Sequence, residues 1–460
     1  MRLEQRLLTV APWLLAISLA VRTWIIVTGF GNESIDLYVY WSLAPHVLDG
    51  DLYQVFSPHS PPDFPLPFTY PPFGALVFLP MTWMFWSLAQ WSFRLLSVLC
   101  LYWMVRVALR LVAGESWTTN ARLWRQRAIL WTAVLLWMMP VFHTFEFGQI
   151  NLVLAAIVLA AMVAHDDRVA GAGLGLTSGV KLVPAISGLY FLATRRWAAA
   201  GWSVAAFAAS VGLGFLVDFD QTKKYWFELL ADADRVGPIA TAHNQSLRGA
   251  LSRTFGYDVG LSWPWVIAAL VSMVLALFAL RAAIQANDTL IGVLSVQFLG
   301  LLLSPISWDH HWVWVVPLLI WLVHAQISPW ARITLLGLWV PAMFSDVIAF
   351  QLHRQPTIWT ISRPGWLSAI GWAYPAFALI TLVVITCALR RSTRTRSHHR
   401  GGTRDVQFLP HHSGQSVSQG SRPDQRGLQP ALRRLLRFGD SSGQADVPGR
   451  RRRQGDPTAS

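Results

Sequence analysis

A few side chains stand out in an otherwise apolar chain because their types suit acid–base and anion chemistry. Asp36, Asp49, Asp51 and Asp63 precede residue 71, and Gln149 and Asn151 follow two residues apart. Lys181 interrupts an apolar stretch, Asn244, Gln245 and Arg248 form a polar run, and Asp309, His310 and His311 are consecutive. A carboxylate within hydrogen-bond reach of a hydroxyl can take its proton as that hydroxyl attacks an electrophile. Lys, Arg and His can hold a phosphate, Arg through its planar fork, and a helix N-terminus also favours an anion. Amides either bond ligand hydroxyls or tie helices together.

The elements that must position these residues are membrane helices. Of the 460 residues, 54% are hydrophobic and only 13% charged, with a mean hydropathy of +0.41. A soluble domain is about one quarter charged. The apolar residues arrive in blocks such as 8–21, 95–105 and 312–325, and about 20 of them span a hydrocarbon layer of roughly 30 Å. The first block is long enough to remain as a helix rather than a cleaved signal. The net charge of +13 sits mostly in one place: 390–460 holds 15 Arg and 5 Asp, a net of +10. That Arg-rich tail reads as disordered and cytoplasmic, where it meets anionic lipid. Its segment 431–438 suits a short surface helix. No aromatic-interleaved basic domain accompanies the arginines, so nucleic acid is not expected. Cys100 and Cys387 lie in apolar runs, so no disulfide framework or zinc site is expected.

Arg2 and Arg6 precede the first span, 8–29, whereas 31–70 carries five acids and no Lys or Arg. The positive-inside rule puts both termini in the cytoplasm and 31–70 outside. The arginines at 106–127 belong inside, which makes 71–89 re-entrant or interfacial and 91–112 the crossing. Spans follow at 128–146 and 149–164. Lys181 and Pro184 split 170–194 into two half-helices meeting at Lys181, since proline breaks a helix and a lysine on lipid is costly. Further spans fall at 197–217, 263–283, 288–303, 312–325, 330–350 and 365–389. The expectation is an all-α, polytopic plasma-membrane protein with 11 to 12 passages including that hairpin. Residues 1–389 form the membrane domain, with outer loops at 31–70 and 218–262, and 390–460 the tail. All the polar residues above then fall on the outer face. Ionisable residues at membrane depth are functional candidates by default, and this set fits transfer chemistry on a membrane-embedded substrate.

Five ordered motifs carry a resemblance. They are Asp36-Leu37-Tyr38-Val39-Tyr40 with Asp49-Gly50-Asp51-Leu52-Tyr53 and Phe68-Thr69-Tyr70-Pro71-Pro72; Gly148-Gln149-Ile150-Asn151-Leu152; Val180-Lys181-Leu182-Val183-Pro184; Asn244-Gln245-Ser246-Leu247-Arg248-Gly249; and Ser304-Pro305-Ile306-Ser307-Trp308-Asp309-His310-His311-Trp312. Over roughly 8–389 the chain resembles glycosyltransferase family 87, GT-C-fold mannosyltransferases that use polyprenyl-phosphate mannose. The resemblance implies an inverting transfer, with Asp36 as general base, to a cell-envelope glycolipid or lipoglycan, forming an α-1,2 mannoside. Lys181, Arg248, His310 and His311 become candidates for the donor phosphate, and Gln149, Asn151, Asn244 and Gln245 for sugar hydroxyls. Tyr70 and Trp308 are candidates to stack on the sugar or prenyl chain. No cofactor or metal is expected, because a single phosphate leaves no diphosphate to bridge. The D-x-D patterns at 49–51, 218–220 and 232–234 are set aside as chance.

Each residue also has a plainer reading. Asp36 could cap a helix entering at Leu37, Lys181 could snorkel, Arg248 could cap a surface helix, and Gln149 and Asn151 could be helix glue. His310, His311, Tyr70 and Trp308 could anchor helices at the interface. Two rival functions stand beside the mannosyltransferase. One is the same fold using polyprenyl-phosphate glucose or arabinose, since hexose choice depends on few contacts. The other is a lipid or sugar transporter.

Overall fold

The computed structural model describes residues 2–29, 34–61 and 64–401. Asp63, most of the Arg-rich tail and its 431–438 segment lie outside the described residues. Among the described residues the chain is helical and forms no strand. Two isolated β-bridges occur, Phe56 with Pro67 and Asn244 with Trp308. The last helix, Ala373–Gly401, runs past Arg390, where the sequence suggested the tail begins. No proline or glycine interrupts 391–400, so nothing local stops it until Gly401.

Among the described residues, five helices are long and apolar enough to cross a bilayer: Glu4–Thr28, Trp86–Ala113, Trp197–Val217, Trp263–Ala286 and Ala373–Arg390. Their outward faces carry exposed Trp13, Ile17, Leu95, Leu99, Val204, Leu216, Leu270 and Leu277. So much exposed apolar surface is untenable in water and is what a lipid-facing helix presents. By contrast, Thr289–Leu303 is buried along most of its length, and the buried residues of Val315–His324 include Val315, Leu318, Leu319, Ile320 and Trp321. These two helices, with Asn151–Val163 and Pro329–Phe344, have 15, 10, 13 and 16 residues. All are shorter than the full crossings expected at 288–303, 312–325, 149–164 and 330–350. Thr289–Leu303, Val315–His324 and Asn151–Val163 pack largely against protein and need not match the lipid thickness, and loops can enter at membrane depth.

The expected span at 128–146 is broken. Ala121–Leu135 and Met139–Phe147 meet at 71°, with Pro140 at the start of the second piece, where its missing N–H costs nothing. Pro72–Thr82 has 11 residues, about 16 Å of helix at 1.5 Å each, half the thickness of the layer. That length agrees with a re-entrant or interfacial element.

The segment after residue 166 is a hairpin. Asp167–Val180 stops at Lys181, and the chain returns through a 3-10 turn, Val183–Ser187, and Gly188–Ala193. Arg196 closes the base: its guanidinium meets Asp167 at 2.6 Å and donates to the carbonyls of Met162 and Ala164. Lys181 is therefore at the tip. Gly171, Gly175 and Gly179 line one face of the outgoing helix. A Cβ on any of them would strike Trp197–Val217, at Ala199 and Trp202, Ser203 and Ala206, and Ser210 respectively. Small residues at a spacing of four let two helices approach where lipid supplies no hydrophobic drive. At the tip, Val180 lies against Gly74 of Pro72–Thr82. The two half-length elements thus converge beside Tyr70 and Lys181.

Candidate active site

Ile35–Leu43 begins after Ser34, which adopts a left-handed conformation (φ 44°) and accepts hydrogen bonds from Gln90 and Arg94. Asp36 is in the first turn, where the helix dipole favours a carboxylate. It does not cap: its Oδ2 accepts from Gln149 Nε2 at 2.7 Å. Gly148 makes that approach possible. It has φ +71°, and a Cβ there would lie 2.5 Å from the Leu37 Cβ, so a side chain would push Gln149 away from Asp36.

Gln149 Oε1 in turn accepts from Tyr40 (3.2 Å) and Tyr70 (3.4 Å), whose hydroxyls are 2.7 Å apart. Lys181 Nζ reaches Tyr70 OH (3.2 Å), Asn151 Oδ1 (3.1 Å) and His311 Nε2 (3.0 Å). One continuous network therefore joins the carboxylate to the ammonium. All three partners of Lys181 are neutral, and among the described residues no carboxylate forms an ion pair with it.

This network borders a cavity of about 620 Å³ whose lining includes Asp36, Tyr70, Gln149, Lys181, His243, Trp308, His310 and His311. The rest of the wall is largely apolar, including Pro71, Leu182, Val183, Ile186, Leu229, Leu230, Leu303 and Ile306. A cavity with a few convergent polar groups on apolar walls is the usual form of a ligand site. His310 is 5% exposed, yet neither ring nitrogen has a partner, and His311 Nδ1 is also unbonded. Buried polar atoms left open in this way call for a ligand. Asp36 is pushed up to about 6, chiefly by burial; the Gln149 hydrogen bond and the Lys181 charge oppose the rise. That value suits a general base near neutral pH.

Seven of the sequence candidates thus line the cavity: Asp36, Tyr70, Gln149, Lys181, Trp308, His310 and His311. Asn151 lies behind them, holding Lys181 and donating to the His310 carbonyl at 3.3 Å. Asn244, Gln245 and Arg248 do not line the cavity. Asn244 donates to the carbonyls of Ile239 and Pro305 and accepts from the amides of Ser246 and Ser307. Gln245 donates to the Ala242 carbonyl through its side chain, while its backbone N–H bonds Ser307. Both lock the 239–246 and 304–309 loops together. Arg248 grips Asp258 at 2.9 and 2.5 Å, which satisfies its fork with a carboxylate of this chain. The Asp49-Gly50-Asp51 carboxylates face His46, at 4.0 and 2.8 Å, and do not line the cavity.

Sequence reading missed Tyr40, Arg235 and His243. Tyr40 falls inside a quoted motif and looks like core. Arg235 lines the cavity and donates to the Phe68 carbonyl at 2.8 Å. His243 Nδ1 lies 2.9 Å from Asp309 Oδ1. The other Asp309 oxygen is held by His143, a pairing across 166 residues that no spacing could reveal.

Residues 68–305 match the model of glycosyltransferase family 87. The chain belongs to this family. As a family 87 glycosyltransferase it has similar relatives among curated mannosyltransferases. It is 43% identical over 390 residues to a "polyprenol-phosphate-mannose-dependent alpha-(1-2)-phosphatidylinositol pentamannoside mannosyltransferase" of Mycolicibacterium smegmatis, covering 82% of this chain and 91% of that one. A protein of the same description from Mycobacterium tuberculosis is 43% identical over 386 residues, 83% of this chain and 88% of that one. A "phosphatidylinositol mannoside mannosyltransferase" of Mycobacterium tuberculosis is 33% identical over 429 residues, covering 87% and 96%. No solved structure matches the chain. Asp36 lies N-terminal to the matched family segment.

Proposed function

We propose that this glycosyltransferase moves mannose from polyprenyl-phosphate mannose to a phosphatidylinositol mannoside, with inversion, forming an α-1,2 linkage. The observation that carries this reading is the cavity itself. A half-buried carboxylate and an ammonium without an ion-pair partner face one space whose remaining walls are largely apolar. A sugar joined to a lipid through one phosphate needs those three things together.

In this reaction the acceptor hydroxyl loses its proton to Asp36 as its oxygen attacks the anomeric carbon. The C1–O bond to phosphate breaks, and its electron pair stays on the phosphate, which gains a negative charge. Lys181 and His310 meet that charge between largely apolar walls, where preorganised donors act most strongly. Gln149 orients the base. Arg248 is occupied by Asp258 and has no role in this scheme. The site faces the extracytoplasmic side and both termini the cytoplasm, on the charge asymmetry of the loops.

The test is membrane turnover with radiolabelled polyprenyl-phosphate mannose and a phosphatidylinositol mannoside, wild type against Asp36→Asn. Loss of the base should cost about two to four orders of magnitude in rate. Equal rates would remove Asp36 from the chemistry. No transfer by wild type would reject the donor and favour a glucose or arabinose carrier, or transport without covalent change. A cysteine placed at Pro61 and labelled by an impermeant reagent on intact cells checks sidedness; labelling only after lysis would reverse it.

A further inference from the structure

His243 has an arrangement that the reaction above does not use. Its Nδ1 lies 2.9 Å from Asp309 Oδ1, and Asp309 is fully buried. His143 holds the second Asp309 oxygen through Nδ1, and its own Nε2 lies 3.9 Å from Asp346. A buried carboxylate needs a compensating charge. His143 stands between two carboxylates and is the natural carrier of that charge. Asp309 and His143 then form a closed pair, to which His243 donates through Nδ1–H. The consequence is a fixed tautomer, with the Nε2 lone pair free to accept. The His243 side chain is 26% exposed and lines the same cavity as Asp36, its ring edged by Phe147 and Trp308.

A lone pair at that place selects what it can bind. A phosphodiester has no O–H or N–H to offer, so the donor phosphate belongs with Lys181 and His310. A sugar hydroxyl can donate. The ring is also part-exposed, and the apolar wall around Ile186 and Leu230 suits a prenyl chain.

Resting on the proposed glycosyl transfer, we propose that His243 Nε2 accepts a hydrogen bond from a hydroxyl of the acceptor sugar, and that Asp309 sets the tautomer that makes this possible. His243 is then an acceptor-binding residue and Asp309 its positioning residue.

The experiment measures initial rates with donor and acceptor varied separately, for wild type, His243→Phe and His243→Gln. Phenylalanine keeps the ring between Phe147 and Trp308 but has no acceptor atom; glutamine lacks the ring but keeps an acceptor oxygen. The expected result is a 10- to 100-fold fall in kcat/KM for acceptor in His243→Phe, the order of one lost hydrogen bond in a closed site. His243→Gln should recover part of it, with KM for donor unchanged in both. Asp309→Asn should reproduce the loss, because the amide N–H would face Nδ1 and turn Nε2 into a donor, and it should add little in the His243→Phe background. The proposal is overturned if Phe works as well as His, if Gln is worse than Phe, or if the change appears in KM for donor. Wild-type turnover in the same assay tests the underlying transfer separately.

Discussion

Around Gln149 and around Asn244, amides and a cation are buried together within a few residues of a sequence motif, yet the two groups end differently. Asn244 spends both oxygen and nitrogen on four backbone groups. Arg253 beside it donates to the carbonyls of Thr241, Asn244 and Gly371. Every one of those bonds closes a loop. Gln149 instead links side chains only, and the network it belongs to ends in an ammonium without an ion pair and a histidine with two open nitrogens. Identical residue types serve architecture where their valences close on backbone, and chemistry where they stay open toward a cavity.

Breaking each group should separate these roles. The largest effect is expected on the open side. Lys181→Met removes the charge that meets the donor phosphate and keeps the stem. A charge-assisted hydrogen bond is worth about 2–3 kcal/mol, so kcat/KM for donor should fall roughly 30- to 150-fold with the folded yield unchanged. If acceptor kinetics change instead, Lys181 does not face the donor.

Asn244→Ala tests the closed side. It strands the Ser246 and Ser307 amides and two carbonyls, and each buried unmet group costs about 1–3 kcal/mol. The expected result is a lower melting temperature and less folded protein in detergent, with turnover per folded molecule within a few fold of wild type. A normal melting temperature with lost turnover would move Asn244 to the cavity.

The difference also explains what the sequence could and could not disclose. The apolar blocks and the proline after Lys181 marked the helices and the hairpin, because both follow from local chemistry. Asp36, Lys181, Gln149 and the histidine pair could be singled out because such residues are costly in an apolar setting. Whether an amide closes on backbone or opens to a cavity depends on where distant loops meet. The Asn244–Trp308 bridge and the His143–Asp309–His243 array are such meetings. Short inner helices were equally illegible, since 10 apolar residues read alike on lipid or on protein.

A smaller effect follows from pH. Burial holds Asp36 at about 6, above the ordinary carboxylate range, and only its ionised form accepts a proton. As pH falls below 6 the protonated fraction grows, so kcat/KM should drop about tenfold per unit on that acid limb. Replacing Gln149 with Leu removes the hydrogen bond that holds the carboxylate down, so this limb should move to higher pH. A limb that stays in place would mean another group sets it.

The smallest effect should come from Arg248, and it sharpens the comparison most because sequence alone ranks it with Lys181. Both are single cations in motifs of one family. Arg248, however, is paired bidentately with Asp258, which also accepts from Ser252 and the Gly260 amide. A partly exposed pair of this kind contributes up to about 1 kcal/mol. Arg248→Gln should therefore leave kcat/KM for donor within about twofold and lower the melting temperature slightly. Asp258→Asn should do the same, because both break one clamp on the loop that follows Leu247–Phe255. A donor-side loss in Arg248→Gln that Asp258→Asn does not share would mean the guanidinium leaves Asp258 when donor arrives. The line between closed and open groups would then be crossed during turnover rather than fixed by the fold.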